Sequence, residues 1–186
     1  ALYFCLVMGL YGISFWLPQI LKESLTSDSL KIGLLSALPW TAAAGTMVLH
    51  GIHSDRTGER RWHVTLACLA SAVAYAACSF LGASGWLRFL ALIPVAAATL
   101  AALSSFWTLP TNLLTGTAAA VGIAWINSFG NLAGYVSPWT IGMIRDATRN
   151  NMSLALGLTS VFMAAAAVLV LAVTRPEERA RTSRPR

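Results

Sequence analysis

Charge is scarce in this sequence. Only 11% of its residues are Asp, Glu, Lys or Arg, against about a quarter in a soluble domain. An ordinary soluble globular fold is therefore excluded. The few charges sit in short clusters between long apolar runs, which is the membrane pattern. Acidic side chains number seven, and none lies inside an apolar run. Glu23, Asp28, Asp55, Glu59 and Asp146 fall in links or at run ends, and Glu177 and Glu178 in the C-terminal tail. No Lys or Arg occupies the middle of a run either. Cysteine is limited to Cys5, Cys68 and Cys78, each within an apolar run. No disulfide framework follows, and all three read as small buried hydrophobes. Ala1 opens an apolar run with no Met and no basic flank before it. The chain thus reads as a piece of a longer polypeptide rather than one led by a signal peptide. The net charge of +6 lies mostly at run ends and in the tail, so no nucleic-acid partner is expected.

What is present is hydrophobic. Such residues make up 56% of the chain, and the mean hydropathy is +0.65. The fold class expected is all-α, a polytopic bundle of six transmembrane helices. Each run approaches the ~20 residues that a hydrocarbon core requires. The expected spans are 1–21, 30–52, 64–83, 86–110, 117–144 and 152–173, with a turn at Gly82-Ala83-Ser84-Gly85. Residues 174–186 form a Pro- and Arg-rich tail too polar to fold alone, and disorder is expected there. An even number of spans puts both termini on one side. Arg56, Arg60, Arg61, Arg175, Arg179, Arg181, Arg184 and Arg186 share that side, and Lys22, Lys31, Arg88, Arg145 and Arg149 the other. The bias places the tail in the cytoplasm, and the tail itself supplies five of those eight arginines.

A faint internal echo pairs Phe15-Trp16-Leu17-Pro18 with Phe106-Trp107-Thr108-Leu109-Pro110, and Pro39-Trp40 with Pro138-Trp139. A three-plus-three inverted repeat would place Pro-interrupted helices at such matching positions. Trp and Pro are also simply common near membrane-helix ends.

The stretch from Ser104 to Trp139 is the chemically informative one. From Thr117 on it carries no charge, yet Asn127, Ser128 and Asn131 interrupt its apolar run. An unbonded amide in hydrocarbon costs on the order of 4–8 kcal/mol against an alkane. Asn127 and Asn131 are four apart and share a helix face, which should look into protein or a water-filled cavity rather than at lipid. A cavity amide can bond a ligand carboxylate or hydroxyl, and an intramembrane Asn can equally bond a neighbouring helix. Gly130 and Gly134 form a small-x3-small pair suited to close helix packing.

Gly51 to Arg61 reads Gly-Ile-His-Ser-Asp-Arg-Thr-Gly-Glu-Arg-Arg. Gly51 should let two helices approach. Asp55 should accept from backbone amides at a helix N-terminus. Gly58 permits the tight turn, while Arg56, Arg60 and Arg61 hold the loop at the cytoplasmic face. His50, His53 and Asp55 would suit a metal site or a membrane hydrolase only loosely, with no Cys or carboxylate cluster in support.

This loop resembles the signature of the major facilitator superfamily, in the copy between its eighth and ninth helices. Tyr11-Gly12-Ile13-Ser14-Phe15-Trp16-Leu17-Pro18, the run from His53 to His63, and Gly122-Ile123-Ala124-Trp125-Ile126-Asn127-Ser128-Phe129-Gly130-Asn131 are similar to the anion:cation symporter branch. The resemblance covers the whole chain, as helices seven to twelve of twelve. It implies cation- or proton-coupled uptake of a small organic anion by alternating access, together with a missing N-terminal six-helix half. It also implies an inner-membrane setting among lipid, no cofactor and no enzymatic activity. Asn127 would then face the central cavity, with Asn131 beside it. Trp107 and Ser104 would offer an aromatic wall and a small polar group, though Trp107 could also be an interfacial belt residue. Tyr11 and Phe15 would line the same cavity or pack in the core. A coupled anion transporter needs a buried carboxylate and a cation, and neither lies inside a span here, so both would belong to the missing half. A self-contained six-span channel-like or structural protein is the alternative from another class.

Overall fold

In the computed structural model, residues 1–81, 85–113 and 116–182 are described, with side chains at 112, 113, 117, 118 and 175–182 outside that description. The described residues are helical almost throughout. Eight helical segments make six passes: α1 (Leu2–Ser24), α2 (Ser29–Thr57), α3 (Arg61–Phe80), α4 (Gly85–Phe106), α5 (Thr108–Leu113), α6 (Gly116–Asn131), α7 (Ala133–Ala147) and α8 (Met152–Thr182). Five are long and apolar enough to cross a membrane when α4 and α5 are taken together. The fifth pass is divided into α6 and α7, each too short alone.

The divisions have local causes. Pro110 has no N–H to give the Phe106 carbonyl, and its ring crowds that turn. The helix breaks at Trp107, between α4 and α5. In the fifth pass the Asn131 side chain donates to the Asn127 carbonyl at 2.9 Å. It competes there with the helical ladder, and the interruption follows at Leu132. Pro18, Pro39 and Pro94 lie inside helices that continue through them. Of the paired Pro-Trp sites in the two halves, only Pro110 accompanies an interruption, and Pro138 lies inside α7, which continues through it.

Helix α1 is the centre. It packs on α8, α7, α4 and α6, while α3 packs on α8 and α4, and α2 lies mainly on α4. Leu6, Ile13, Leu17 and Leu21 are fully buried in the shared core. Hydroxyls tie the helices across apolar ground. Tyr75 donates to the Gly9 carbonyl at 2.6 Å, Ser137 to the Met8 carbonyl at 2.9 Å, Ser160 to the Ala72 carbonyl at 2.9 Å, and Ser71 pairs with Thr99 at 2.8 Å. Such bonds satisfy polar groups where no water reaches. Cys5, Cys68 and Cys78 are free and buried, as small hydrophobes. Helix α2 is the peripheral member, with Leu30, Leu34, Leu38 and Leu49 all exposed.

Two boundaries differ from those expected. Helix α2 extends to Thr57, so most of the charged loop is helix and only residues 58–60 are link. Helix α8 continues in backbone to Thr182, beyond Val173 and into the expected disordered tail. Ala, Arg and Glu there are good helix formers, and a nucleated helix extends readily.

Candidate functional site

The amide face is assembled by α6 against the start of α1. Asn131 Nδ2 donates to both the carbonyl and the Oδ1 of Asn127, each at 2.9 Å. With Oδ1 engaged, the Asn127 amide nitrogen is oriented as a donor that reaches no other described group. A long contact of 3.5 Å brings Tyr3 Oη to the same Oδ1. Both asparagines are exposed in this chain. The sequence leaves a ligand contact and a bond to a neighbouring helix open for each, and here only Asn127 meets another helix, through Tyr3. Asn131 spends its donors inside its own helix, and Asn127 keeps two N–H groups for a partner.

Tyr3 links this face to the break in the fourth pass. Its ring lies 4.8 Å from that of Trp107 and 5.1 Å from that of Phe106. Ser104, one turn before, donates to the Ala101 carbonyl at 3.0 Å and so turns back into its own helix. Tyr3 was not singled out from sequence. Its signal is the four-residue spacing of Tyr3, Val7, Tyr11 and Phe15, one stripe of α1. Two glycines receive that stripe. A Cβ on Gly130 would fall 1.9 Å from Tyr3 Cδ1, and one on Gly134 would fall 2.9 Å from Tyr11 Cε2. Tyr11 stacks on Phe15 at 5.6 Å, two turns from Tyr3. The structure therefore gathers Tyr3, Trp107, Asn127 and Asn131, and sets Tyr11 and the exposed Phe15 further along the same groove. An apolar cavity of about 490 Å³ adjoins them, lined by Tyr3, Phe106, Trp125, Phe129 and Gly130 among others.

The signature loop closes the end of α2, and His50 one turn before it reaches Ser105 near the end of α4. Asp55 pairs with Arg60 at 2.5 Å, and Arg60 also donates to Ser54 Oγ at 3.0 Å. Ser54 in turn donates to the Glu59 carbonyl at 3.1 Å. Gly58 ends α2 in the left-handed region at φ 66°, with its N–H on the Ser54 carbonyl. The expected role of Asp55 at a helix N-terminus is corrected. Asp55 lies in the last turn of α2, where no free amides are available, and pairs with arginine instead. Glu59 takes that role, accepting from the N–H of Trp62 at 2.9 Å and of His63 at 3.2 Å. Partial burial works to raise the Glu59 pKa, but the bonds from Trp62 and His63 outweigh it and hold the carboxyl below its ordinary value. Gly51 is also corrected: nothing lies within 4 Å of a Cβ there, because that side of α2 is uncovered. Arg56 is exposed, and the Arg61 guanidinium lies 5.7 Å from the Trp62 ring centre.

All three histidines converge beside this loop. His53 Nδ1 is 2.7 Å from His63 Nε2, His63 Nδ1 is 3.1 Å from Glu59, and His50 Nδ1 is 3.0 Å from Ser105 Oγ. Among the described residues no group of three metal-ligating side chains has the geometry to hold an ion. Asp55 faces Arg60 rather than the histidines, which removes the loose His50, His53 and Asp55 constellation.

No established family profile matches the chain. Curated proteins do. A protein of Agrobacterium vitis provisionally named a tartrate transporter is 44% identical over 180 residues, covering 94% of this chain and 40% of its own length. A quinolone resistance transporter of Acinetobacter baumannii is 36% identical over 188 residues, 98% of this chain and 42% of its own. A provisionally named sulfoacetate transporter of Cupriavidus necator is 31% identical over 159 residues, 78% of this chain and 35% of its own. The chain thus spans about two fifths of the curated relatives it matches most fully.

Proposed function

The chain belongs to the major facilitator superfamily of membrane transporters, and we propose that it supplies the C-terminal six helices of a secondary transporter for a small organic anion. It is an integral, multi-pass membrane protein. The observation that carries the substrate class is kinship along 94% of the chain with a protein named for tartrate, and a second relative is named for sulfoacetate. The exposed Asn127 donors, backed by Tyr3 and Trp107, suit recognition of a carboxylate or hydroxyl. The remaining three fifths of the relatives' length supports an N-terminal six-helix half, which would contribute the substrate's cationic partner and the proton carrier.

In this reading uptake is coupled to a cation, most simply a proton, and works by alternating access at the inner membrane. The tail and the Glu59 loop face the cytoplasm, and Asp28 and Asn150 face outside, with lipid around the bundle. The Asp55–Arg60 pair sits in the last turn of α2 and the link after it. Its role is to bias the conformational equilibrium rather than to touch substrate.

Thermal unfolding of the purified full-length transporter tests the substrate class. Tartrate or sulfoacetate should raise Tm in proportion to occupancy, as any ligand of the native state does, while a neutral sugar alcohol should not. Stabilisation by the neutral compound alone, or by no organic anion, would contradict the reading.

A further inference from the structure

Far from the amide face, a second polar cavity of about 470 Å³ opens where the ends of α1, α4 and α8 meet, at the end of the bundle opposite the Asp55 loop. Its polar lining is Glu23, Ser24, Arg88, Asn150, Asn151 and Ser153. Arg88 is only 8% exposed. One guanidinium nitrogen donates to Ser153 Oγ at 2.9 Å, and its Nε is buried with no partner. A neutral hydroxyl does not balance a buried cation, and a buried charge without a counter-charge is costly.

Among the described lining residues the one carboxylate, Glu23, is already engaged. Glu23 bonds the buried Arg145 and accepts from Gln19 at 2.6 Å. Arg145 is further fixed by the Trp16 ring, 4.8 Å from its guanidinium carbon, and by Asn150 Oδ1 at 3.5 Å. Two buried guanidinium groups therefore share one carboxylate, which leaves a positive excess on the Arg88 side. The first turn of α8 adds to it. That helix begins at Met152, its axis dipole presents positive charge to the cavity, and Asn151 caps it by accepting from Ser153 N–H at 3.0 Å. The wall between α7 and α8 is held in an uncommon conformation, with Arg149 and Asn150 both left-handed at φ 53° and 63°. Such positions persist only where surrounding contacts fix them. Here they set Asn150 between Arg145 and the cavity.

We propose that this cavity is a second anion site, which takes the carboxylate of a small soluble organic acid on Arg88, with Ser153 and the Asn150 and Asn151 amides around it. The site lies on the expected outer side, where an incoming substrate would meet the protein before reaching Asn127. Its position on the transport route and the choice of an organic acid rest on the function proposed above. The charge imbalance does not.

Ser24 lines the cavity and is part-buried, which makes Ser24→Cys a reporter in the full-length transporter. The three cysteines of this chain are buried, and any in the rest of the full-length transporter would be replaced by serine. The rates of its modification by a sulfonate-bearing and by a trimethylammonium-bearing thiosulfonate read the local potential. The anionic reagent should react about tenfold faster after correction for intrinsic reactivity. Tartrate, used as the probe carboxylate at about 50 mM, should slow it by roughly fivefold or more if its Kd is near 10 mM. Arg88→Gln should abolish both the preference and the protection, and Arg88→Lys should retain the preference. Absence of a charge preference, equal protection in wild type and Arg88→Gln, or loss of the preference in both variants alike would overturn the proposal. So would slowing produced only by phosphatidylglycerol vesicles, since the occupant would then be a lipid headgroup. Tartrate uptake by the same protein keeps the two readings apart. Protection without uptake leaves the site standing and removes the transport reading, and uptake without protection does the reverse.

Discussion

Asn127 illustrates how a single polar group is accommodated in an apolar helix. Its Oδ1 is bonded within α6 by Asn131, so only the N–H donors need an external partner. An uncharged amide cannot supply the main attraction for an anion, but it can orient one, and a good bond in a low-dielectric cavity contributes roughly 1–3 kcal/mol. Asn127→Ala in the full-length transporter should therefore weaken substrate affinity by about ten- to a hundredfold. Tm without ligand should stay nearly unchanged, because the donors reach no other described group and Tyr3 touches Oδ1 only at 3.5 Å. A large loss of Tm with unchanged affinity would instead make Asn127 a helix-to-helix tie. Affinity and Tm measured on the same preparation separate the two. Asn131→Ala should act more mildly on affinity, through release of the Asn127 amide rather than loss of a ligand contact.

At the scale of helices, the groove depends on two interruptions and two glycines. Five of the passes were legible as long apolar runs, and the fifth pass, α6 with α7, is long enough only when the two are read together. The breaks at Trp107 and Leu132 were not legible. Pro110 accompanies a break, whereas Pro18, Pro39, Pro94 and Pro138 are absorbed within helices. Whether a proline interrupts depends on the neighbouring side chains. The capping role of Glu59 was missed for a similar reason: Asp55 and Glu59 are both acidic and four apart, and only the true end of α2 decides which one meets free amides. Of the site, Asn127, Asn131 and Trp107 were legible as polar or aromatic anomalies. Tyr3 was not, since an aromatic near a span end reads as an interfacial belt residue.

The glycines allow a direct check of this packing. Gly130→Ala would place a methyl inside the Tyr3 ring, so the ring or the two helices must shift. Overpacking of this kind costs typically 1–3 kcal/mol. Tm of the full-length protein should fall by several degrees, and Tyr3→Ala in the same chain should restore much of it. A silent Gly130→Ala would mean that the Tyr3 ring does not rest on Gly130 as described.

For the whole molecule, the six passes bury α1 at the centre and leave α2 largely uncovered, with Leu30, Leu34, Leu38 and Leu49 outward. The chain matches relatives more than twice its length. Both features fit one half of a transporter whose substrate lies between two bundles, and neither the coupling carboxylate nor a substrate cation is found mid-span here. The central claim is that this chain moves an organic anion only as part of that larger protein. Proton-gradient-driven uptake of radiolabelled tartrate or sulfoacetate into proteoliposomes measures it most directly, with the full-length transporter in one set and the 186-residue chain alone in the other. The account predicts accumulation of at least one of the two anions by the full-length protein, abolished by a protonophore, and none by the chain alone. Equal flux through the 186-residue chain, or flux insensitive to the gradient, would contradict it.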